Sequence, residues 1–382
     1  MSKQNNPITF PDYGNSILSV AASIARYYGI KISYQTNPLL DTALNKQYKN
    51  VVFMMMDGLG TDMLFRHLPA SSFLRSGYKA TISSVFPPTT TAATTTVQSL
   101  LPPISHGWLG WSGYFKERNQ VIELFNAKDY YTGEKIQAPD QLMQSLIYNP
   151  FWSKPKLERN TTAHYLLPDK INQSGLTSLH KMMKQIQSIT ESDGSHFIYA
   201  YWTNPDHIAH TYGPNSEEVR LSIGIINRRL KRLHTSLKDT LLIVISDHGQ
   251  TEINKTILIN HCGQMADCLS VPLSLEGRCA SVFIKPEKKE LFEHEFTQYL
   301  SSDFLLIPRA EALSAHLFGI GEMHPQADEF IGDYLIVGIT DKILEQEIPN
   351  GLPVLQLKGA HGGLTQQEMH VPLIIIPSSD IL

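Results

Sequence analysis

Cysteine is scarce in this chain: three residues, Cys262, Cys268 and Cys279, among 382. So sparse and odd a set does not make a disulfide framework, and the expected compartment is the cytoplasm. The His261-Cys262 pair with Cys268 hints at a metal site, but small buried thiols are the better reading. Long apolar runs are also missing. No stretch approaches the roughly 18 residues of a membrane span. The segment 17–24 is broken by Ser19 and Ser23, with Arg26 close behind. It is expected to be an amphipathic helix capped by Asn15 or Ser16, not the apolar part of a signal peptide. Blocks of like charge are absent too: 32 Lys and Arg against 36 Asp and Glu leave a net charge of −4. Nucleic acid and anionic membranes favour a basic face, so neither is an expected partner.

What is present is an ordinary globular balance, 42% hydrophobic and 18% charged, over a length that buries a large core. Short apolar runs at 51–56 (VVFMMM), 196–202 (HFIYAYW), 241–245 (LLIVI), 280–284 (ASVFI), 335–337 and 371–376 (VPLIII) read as buried strands. Their apolarity is continuous, as parallel strands covered on both faces require. Helical spacing marks 176–189 and 216–237, the latter through Val219, Ile223, Ile226, Leu230 and Leu233. Strands alternating with helices imply an α/β sandwich around a largely parallel sheet. The aromatic, Pro-punctuated stretch 115–172 has no strong period and is expected to be a cap insertion over the substrate pocket. Residues 253–359 hold strands and a helix that suggest a subdomain. One domain spanning 1–382, with these insertions, is expected.

Four motifs carry metal-type chemistry. In VVFMMMDGLG an apolar strand ends at Asp57, with Gly58 and Gly60 allowing a sharp turn. In SDHGQT, Asp247 and His248 follow the strand LLIVI and the turn at Gly249 can bring both to one ion. In NPDHIAH, Asp206 and His210 lie four apart, on one face of a helical turn, while His207 points away. In KGAHGGLT, glycines flank His361. Ligands gather at the carboxyl ends of strands in open α/β sheets. Three Asp and three His suffice for two divalent metals, zinc by donor type with manganese as the alternative. For a nucleophile, Thr89, Thr90, Thr91, Thr94, Thr95 and Thr96 crowd one segment ahead of an apolar helix. A threonine at a helix N-terminus has the backbone N–H field that favours an anion. Composition does not choose among the six.

The order of these motifs — Asp-Gly after a strand, a threonine segment ending in SHG, PDxxxH, DHG, then a late glycine-flanked His — resembles the alkaline phosphatase superfamily. Within it, the chain is similar to the type I phosphodiesterase/nucleotide pyrophosphatase family, over 51–377. The resemblance implies an alkaline phosphatase-like three-layer sandwich with helices on both faces of the sheet. It places the nucleophile sixteen residues before His106 of SHG, at Thr90, with Phe86-Pro87 matching the family's Phe-Pro. It further implies that Asp57, Asp247, His248 and Thr90 hold one metal, and Asp206, His210 and His361 the other. In-line attack would pass through a phosphothreonine, on a small phosphodiester or nucleotide-like substrate.

Three positions depart from the family pattern. The Asn usual three residues after the nucleophile is Ala93, so Thr94 or the backbone N–H of Thr91 would have to hold a phosphate oxygen instead. Ala209 stands for the usual Gly before His210, and Gly363-Leu364 follow the last His-Gly where an Asp is common. Trp111 and Trp202, with Trp108 and Tyr114, are aromatic candidates for stacking on a substrate ring, against core packing as the plainer role. The expected activity is hydrolysis of a phosphodiester or pyrophosphate. A phosphomonoesterase or phosphonate hydrolase on the same site is the alternative, and a catalytically inactive metal-binding sensor is the reading from another class.

Overall fold

Seven consecutive residues, Asn50–Met56, are buried along their whole length and form strand β1 of the central sheet. Their side chains alternate between two cores: Val51, Phe53 and Met55 face one, Val52, Met54 and Met56 the other. The computed structural model describes residues 8–137, 144–146, 148–153 and 157–378. The other strands of this sheet are β2 (Tyr78–Ser83), β3 (Thr161–Leu166), β4 (Ser195–Trp202), β5 (Thr240–Ile245) and β6 (His370–Pro377). They lie in the order β2-β6-β5-β1-β4-β3. β3, β4, β1 and β5 pair in parallel, as the apolar runs suggested.

One face is covered by α1 (Ile17–Tyr27) and α2 (Thr90–Ser99), through Ile17, Val20, Ile24, Ala92, Ala93 and Val97, and by the short helix Pro38–Leu44 through Leu40 and Leu44. On the other face lie α3 (Leu179–Glu191), the short α4 (Asp206–Tyr212) and α5 (Glu217–His234). The stripe Val219, Ile223, Ile226, Leu230 and Leu233 is buried as its spacing requires, each side chain contributing about 1.5–3 kcal/mol. Ser216 caps that helix by accepting from Val219 N at 3.3 Å, and Ser16 caps α1 in a capping box.

Several expectations need correction. The run at 371–376 does enter the central sheet, but β6 is antiparallel to both its neighbours. The runs at 280–284 and 335–337 belong elsewhere. Cys279–Val282 and Tyr334–Gly338 sit in a separate antiparallel sheet with Ser274–Glu276 and Phe304–Pro308. Cys279, Leu335 and Val337 face one core there, and Ala280, Val282, Tyr334 and Ile336 the other. Continuous apolarity thus reports burial on both faces, not strand direction. β2 and β3 had no apolar run to announce them, because they are the two half-exposed edges of the sheet.

The stretch 115–172 contributes to two sheets and a core. Its start, with Ser112–Phe115, Gln120–Glu123 and Lys128–Asp129, forms a three-stranded antiparallel sheet beside the four-stranded one. Its end supplies Phe151 and Trp152 to the core under α1, then the edge strand β3. Parts of it, 138–143, 147 and 154–156, lie outside the described residues. The three cysteines are unpaired and buried. Among the described residues no helix is long and apolar enough to cross a membrane.

Candidate metal centre and active site

The motifs converge at one edge of the central sheet. Asp57 directly follows β1, Asp206 opens α4 just past β4, and Asp247 with His248 comes just past β5. These are the carboxyl ends of three adjacent parallel strands, where an α/β sheet binds ligands. β6 runs the other way, so it begins at the same edge, and the segment ahead of it carries His361. β2 also ends there and leads to Thr90 at the first turn of α2. The turns are tight. Gly58 has φ +71°, and a Cβ on it would lie 2.7 Å from Asp206 Cβ. A Cβ on Gly249 would lie 2.0 Å from the Gln367 carbonyl oxygen.

Donor atoms of Asp57, Asp247 and His248 all lie within 4.8 Å of one another, and so do those of Asp206, His248 and His361. His248 is the hub, with Nε2 3.5 Å from Asp57 Oδ1 and 3.7 Å from Asp247 Oδ2. Its ring stacks on His361 with centroids 3.8 Å apart. The second triad is completed by His248 in place of His210. His210 stands alongside it, Nε2 at 3.2 Å from Asp206 Oδ2, while His361 Nε2 is 3.9 Å from Asp206 Oδ1. Thr90 Oγ1 lies 3.1 Å from His248 Nε2.

All three histidines are oriented alike. Nδ1 of His210 meets the Gly359 carbonyl at 2.8 Å, that of His248 meets Gly249 at 3.0 Å, and that of His361 meets Pro88 at 3.1 Å. A ring nitrogen facing a carbonyl carries a proton, which turns each Nε2 into the site, where it offers a lone pair whenever the imidazole is neutral. The carboxylates point the same way. Tyr201 donates to Asp57 Oδ2 and Gln250 to Asp206 Oδ1. Asp57 Oδ1 and Asp247 Oδ2 are buried with no hydrogen-bond partner. Each orphan oxygen costs about 1–3 kcal/mol or more unless a cation takes it. Oxygen and imidazole donors with bare buried oxygens between them fit divalent metal ions.

Electrostatics agree. Burial, then the charges of Asp206 and Asp247, push the Asp57 carboxyl well above the usual carboxylate range. Burial also works against ionised Asp206, yet the charge and hydrogen bond of His210, with His361 and His248 behind, hold it below that range. Burial favours neutral His210 as well, but Asp206 overrides it and raises the imidazole to about 9. His361 is pushed well below its ordinary value by burial and the His248 charge, so it stays neutral. Three carboxylates confined together want positive charge between them.

A model of the type I phosphodiesterase / nucleotide pyrophosphatase family matches residues 51–315. The chain belongs to that family. Ectonucleotide pyrophosphatase/phosphodiesterase family member 7 of Rattus norvegicus is 40% identical over 74 residues, 17% of this chain and 16% of its own length. The mouse protein of the same name is 41% identical over 66 residues. The chain thus matches about a sixth of the length of these curated relatives. In structure, the chain resembles murine ectonucleotide pyrophosphatase/phosphodiesterase 5 with a TM-score of 0.63, at 17% identity, over 85% of this chain and 87% of that one. Phosphonoacetate hydrolase from Sinorhizobium meliloti 1021, in complex with phosphonoformate, gives a TM-score of 0.61 at 15% identity, over 87% and 90%. The fold of this family member is the alkaline phosphatase-like sandwich that these structures share.

The remaining candidates fall out differently. The Thr91 hydroxyl is buried without a partner, and Thr94 Oγ1 donates to the Thr90 carbonyl at 2.6 Å. Neither hydroxyl is turned to the site by a hydrogen bond. Trp202 packs partly buried against the core under α5, and Trp108 is buried with Nε1 bonded to the Leu146 carbonyl at 2.9 Å. Tyr114 packs on Phe283, 5.3 Å between centroids. Trp111 is half-buried, edge-on to the exposed Phe125 at 5.6 Å. Its backbone N–H donates to Glu276 Oε1 at 2.8 Å, and Thr89 Oγ1 donates to the same oxygen at 2.5 Å. Glu276 therefore ties the threonine segment to the four-stranded antiparallel sheet, and burial raises its carboxyl to about 7.

Glu276 and Tyr201 were not anticipated. Gln250 stood in plain view inside SDHGQT but carries no metal-ligand chemistry of its own. A further pair, Arg278 and Glu368, is fully buried and bidentate at 2.6 and 2.7 Å. Glu368 also accepts from Gly363 N at 2.8 Å, which pins the loop that presents His361.

Proposed function

We propose that this chain hydrolyses a phosphodiester or pyrophosphate bond, with Thr90 as nucleophile and two divalent metals, zinc or manganese, as cofactors. The observation that carries the reading is the placement of Thr90 Oγ1. It sits 3.1 Å from Nε2 of His248, the residue shared by both donor triads, at the first turn of α2. Asp57, Asp247, His248 and Thr90 would hold one metal, and Asp206, His361 and His210 the other, with His248 between them. Bound there, the metals would supply Lewis acidity, lowering the hydroxyl pKa and neutralising phosphate oxygens.

The chain's own residues do the rest. Thr90 oxygen attacks phosphorus in line, its proton passes to solvent, and the bond to the departing alcohol, or to the departing phosphate of a pyrophosphate, breaks. The leaving oxygen takes up a proton from solvent. Water then cleaves the phosphothreonine, which releases a phosphomonoester and restores the hydroxyl. The backbone N–H groups at the N-terminus of α2 favour the anionic phosphoryl group. Tyr201 and Gln250 each occupy one oxygen of a carboxylate and so fix the direction of the other. Family membership supports the reaction class. A murine relative in which a threonine is replaced by alanine is described as inactive and binds AMP, which supports a threonine in this role and a nucleotide-like substrate. Three unpaired cysteines fit a reducing compartment, the cytoplasm.

Phosphonate hydrolysis on the same site is a second reading, favoured by the likeness to phosphonoacetate hydrolase. The test is turnover of bis-p-nitrophenyl phosphate, p-nitrophenyl phosphate and phosphonoacetate by enzyme loaded with Zn²⁺ or Mn²⁺. The diester should be the best substrate. A clear preference for the monoester or the phosphonate overturns the assignment.

A further inference from the structure

On the face of the central sheet opposite α1, a second cleft lies between the segment 67–72 and α5. The helix Thr61–His67 begins at the turn that follows Asp57 and ends at this cleft, so about 10 Å of helix stands between it and the metal centre. Its floor is Gly224, in the interior of the 18-residue α5. Glycine is among the least favourable residues for such a position. Neither conformation nor packing calls for it here. The backbone is helical, and a Cβ would meet only the end of a flexible side chain, Arg228 Nη1 at 3.4 Å. What the missing side chain does is leave the cleft open under that guanidinium.

The polar groups that remain unused in the lining are donors. Arg228 makes no hydrogen bond or ion pair among the described residues. Asn227 accepts from Leu74 N through Oδ1 at 2.9 Å, which leaves both N–H groups of its amide unengaged. Ser72 is 8% exposed, and its hydroxyl is buried without a hydrogen-bond partner, a loss that a ligand oxygen would repair. Acceptors, by contrast, are taken. Arg75 uses the Leu68 carbonyl and Ser72 N the Pro69 carbonyl, both at 2.9 Å. His67 has Nε2 on the Pro214 carbonyl at 2.7 Å, and its Nδ1 becomes a further donor when the ring is protonated. No acidic side chain lines the cleft. Glu217, one turn away, is held by Arg220 at the rim. Donors without acceptors select an anion, and a guanidinium fork matches two oxygens of one oxyanion. Leu221, 52% exposed, offers apolar surface beside it for an organic arm.

We infer that this cleft is a second anion site, built for a phosphate group that Arg228, Asn227 and Ser72 bind, carried either by free phosphate or by a phosphomonoester. The inference stands apart from the diesterase reading, because the cleft uses none of the residues at the metal centre.

The test is titration calorimetry of metal-loaded enzyme with inorganic phosphate and with phenylphosphonate, which bears the same oxyanion on an apolar arm and has no ester bond to hydrolyse. Whatever share the metal centre takes, wild type should bind one equivalent that Arg228→Gln binds roughly tenfold more weakly or not at all. Gly224→Leu, which fills the floor with a helix-favouring residue, should lose the same equivalent. Both variants should melt no lower than wild type and turn over bis-p-nitrophenyl phosphate unchanged. Phenylphosphonate tighter than phosphate by about fivefold or more supports a phosphomonoester in the cleft, and equal affinities support free phosphate. Identical stoichiometry and affinity in wild type and Arg228→Gln overturn the site. If no ester is hydrolysed, the diesterase reading fails by itself and the calorimetry still decides the cleft.

Discussion

Replacing Glu368 by alanine should do more damage than any single change of a surface charge. The carboxylate and the Arg278 guanidinium are both fully buried and joined by two bonds of 2.6 and 2.7 Å. Arg278 also donates to the Lys342 carbonyl, and Glu368 accepts from Gly363 N at 2.8 Å and from the Thr365 hydroxyl at 2.5 Å. Truncation leaves a buried cation with no counter-ion, which costs about 3–5 kcal/mol. At ~2 °C per kcal/mol for a chain of this size, the melting temperature should fall by roughly 6–10 °C. Gly363 lies two residues beyond His361, so metal affinity, read by competition with a chelating dye, should weaken as well. The double variant Arg278→Met/Glu368→Leu removes both charges and should recover more than half of the lost stability, because the uncompensated charge is the main penalty. A drop below 2 °C in the single variant, or no recovery in the double, would falsify this account of the loop's anchor.

Three further outcomes are expected. His248→Ala should reduce bound metal from two ions to less than one by plasma emission analysis, while Asp206→Ala should retain one; equal losses would contradict the shared role of His248. Gly58→Ala forces a left-handed residue and a clash with Asp206, so it should cost about 1–3 kcal/mol in thermal unfolding and lower kcat; a silent substitution would show that the turn relaxes freely. In metal-free protein, His210 rises from 6.5 unfolded to about 9 folded. Its pairing with Asp206 therefore stabilises fully below about pH 6.5 and is lost as pH rises through 9. The melting temperature of chelator-treated protein should fall across that window more in wild type than in His210→Gln, and parallel curves would refute it.

The sequence was most legible where chemistry and burial coincide. Asp57, Asp206, Asp247 and His248 each follow an apolar run, and continuous burial of β1, β4 and β5 made those runs visible. The edges β2 and β3 escaped because half-exposed strands such as TTAHYL mix polar and apolar residues without a run. Strand direction escaped in β6 and in the second sheet, since burial on both faces looks the same in either orientation. At the site, Tyr201 and Gln250 could not be singled out, because a residue that orients a ligand needs only one donor in the right place. Glu276 was invisible for another reason: it reaches Thr89 across 187 positions, a contact that only the packing of the four-stranded sheet creates.

The most direct measurement is turnover and metal content of Thr90→Ala beside Thr89→Ala and Thr91→Ala. Thr90→Ala should lose diesterase activity by at least about a thousandfold, or ~4 kcal/mol in the barrier, while binding two metals and melting within a degree or two of wild type. Thr89→Ala and Thr91→Ala should keep most of their activity. Similar losses in all three, or a Thr90→Ala enzyme that still turns over, would contradict the nucleophile assigned to this site.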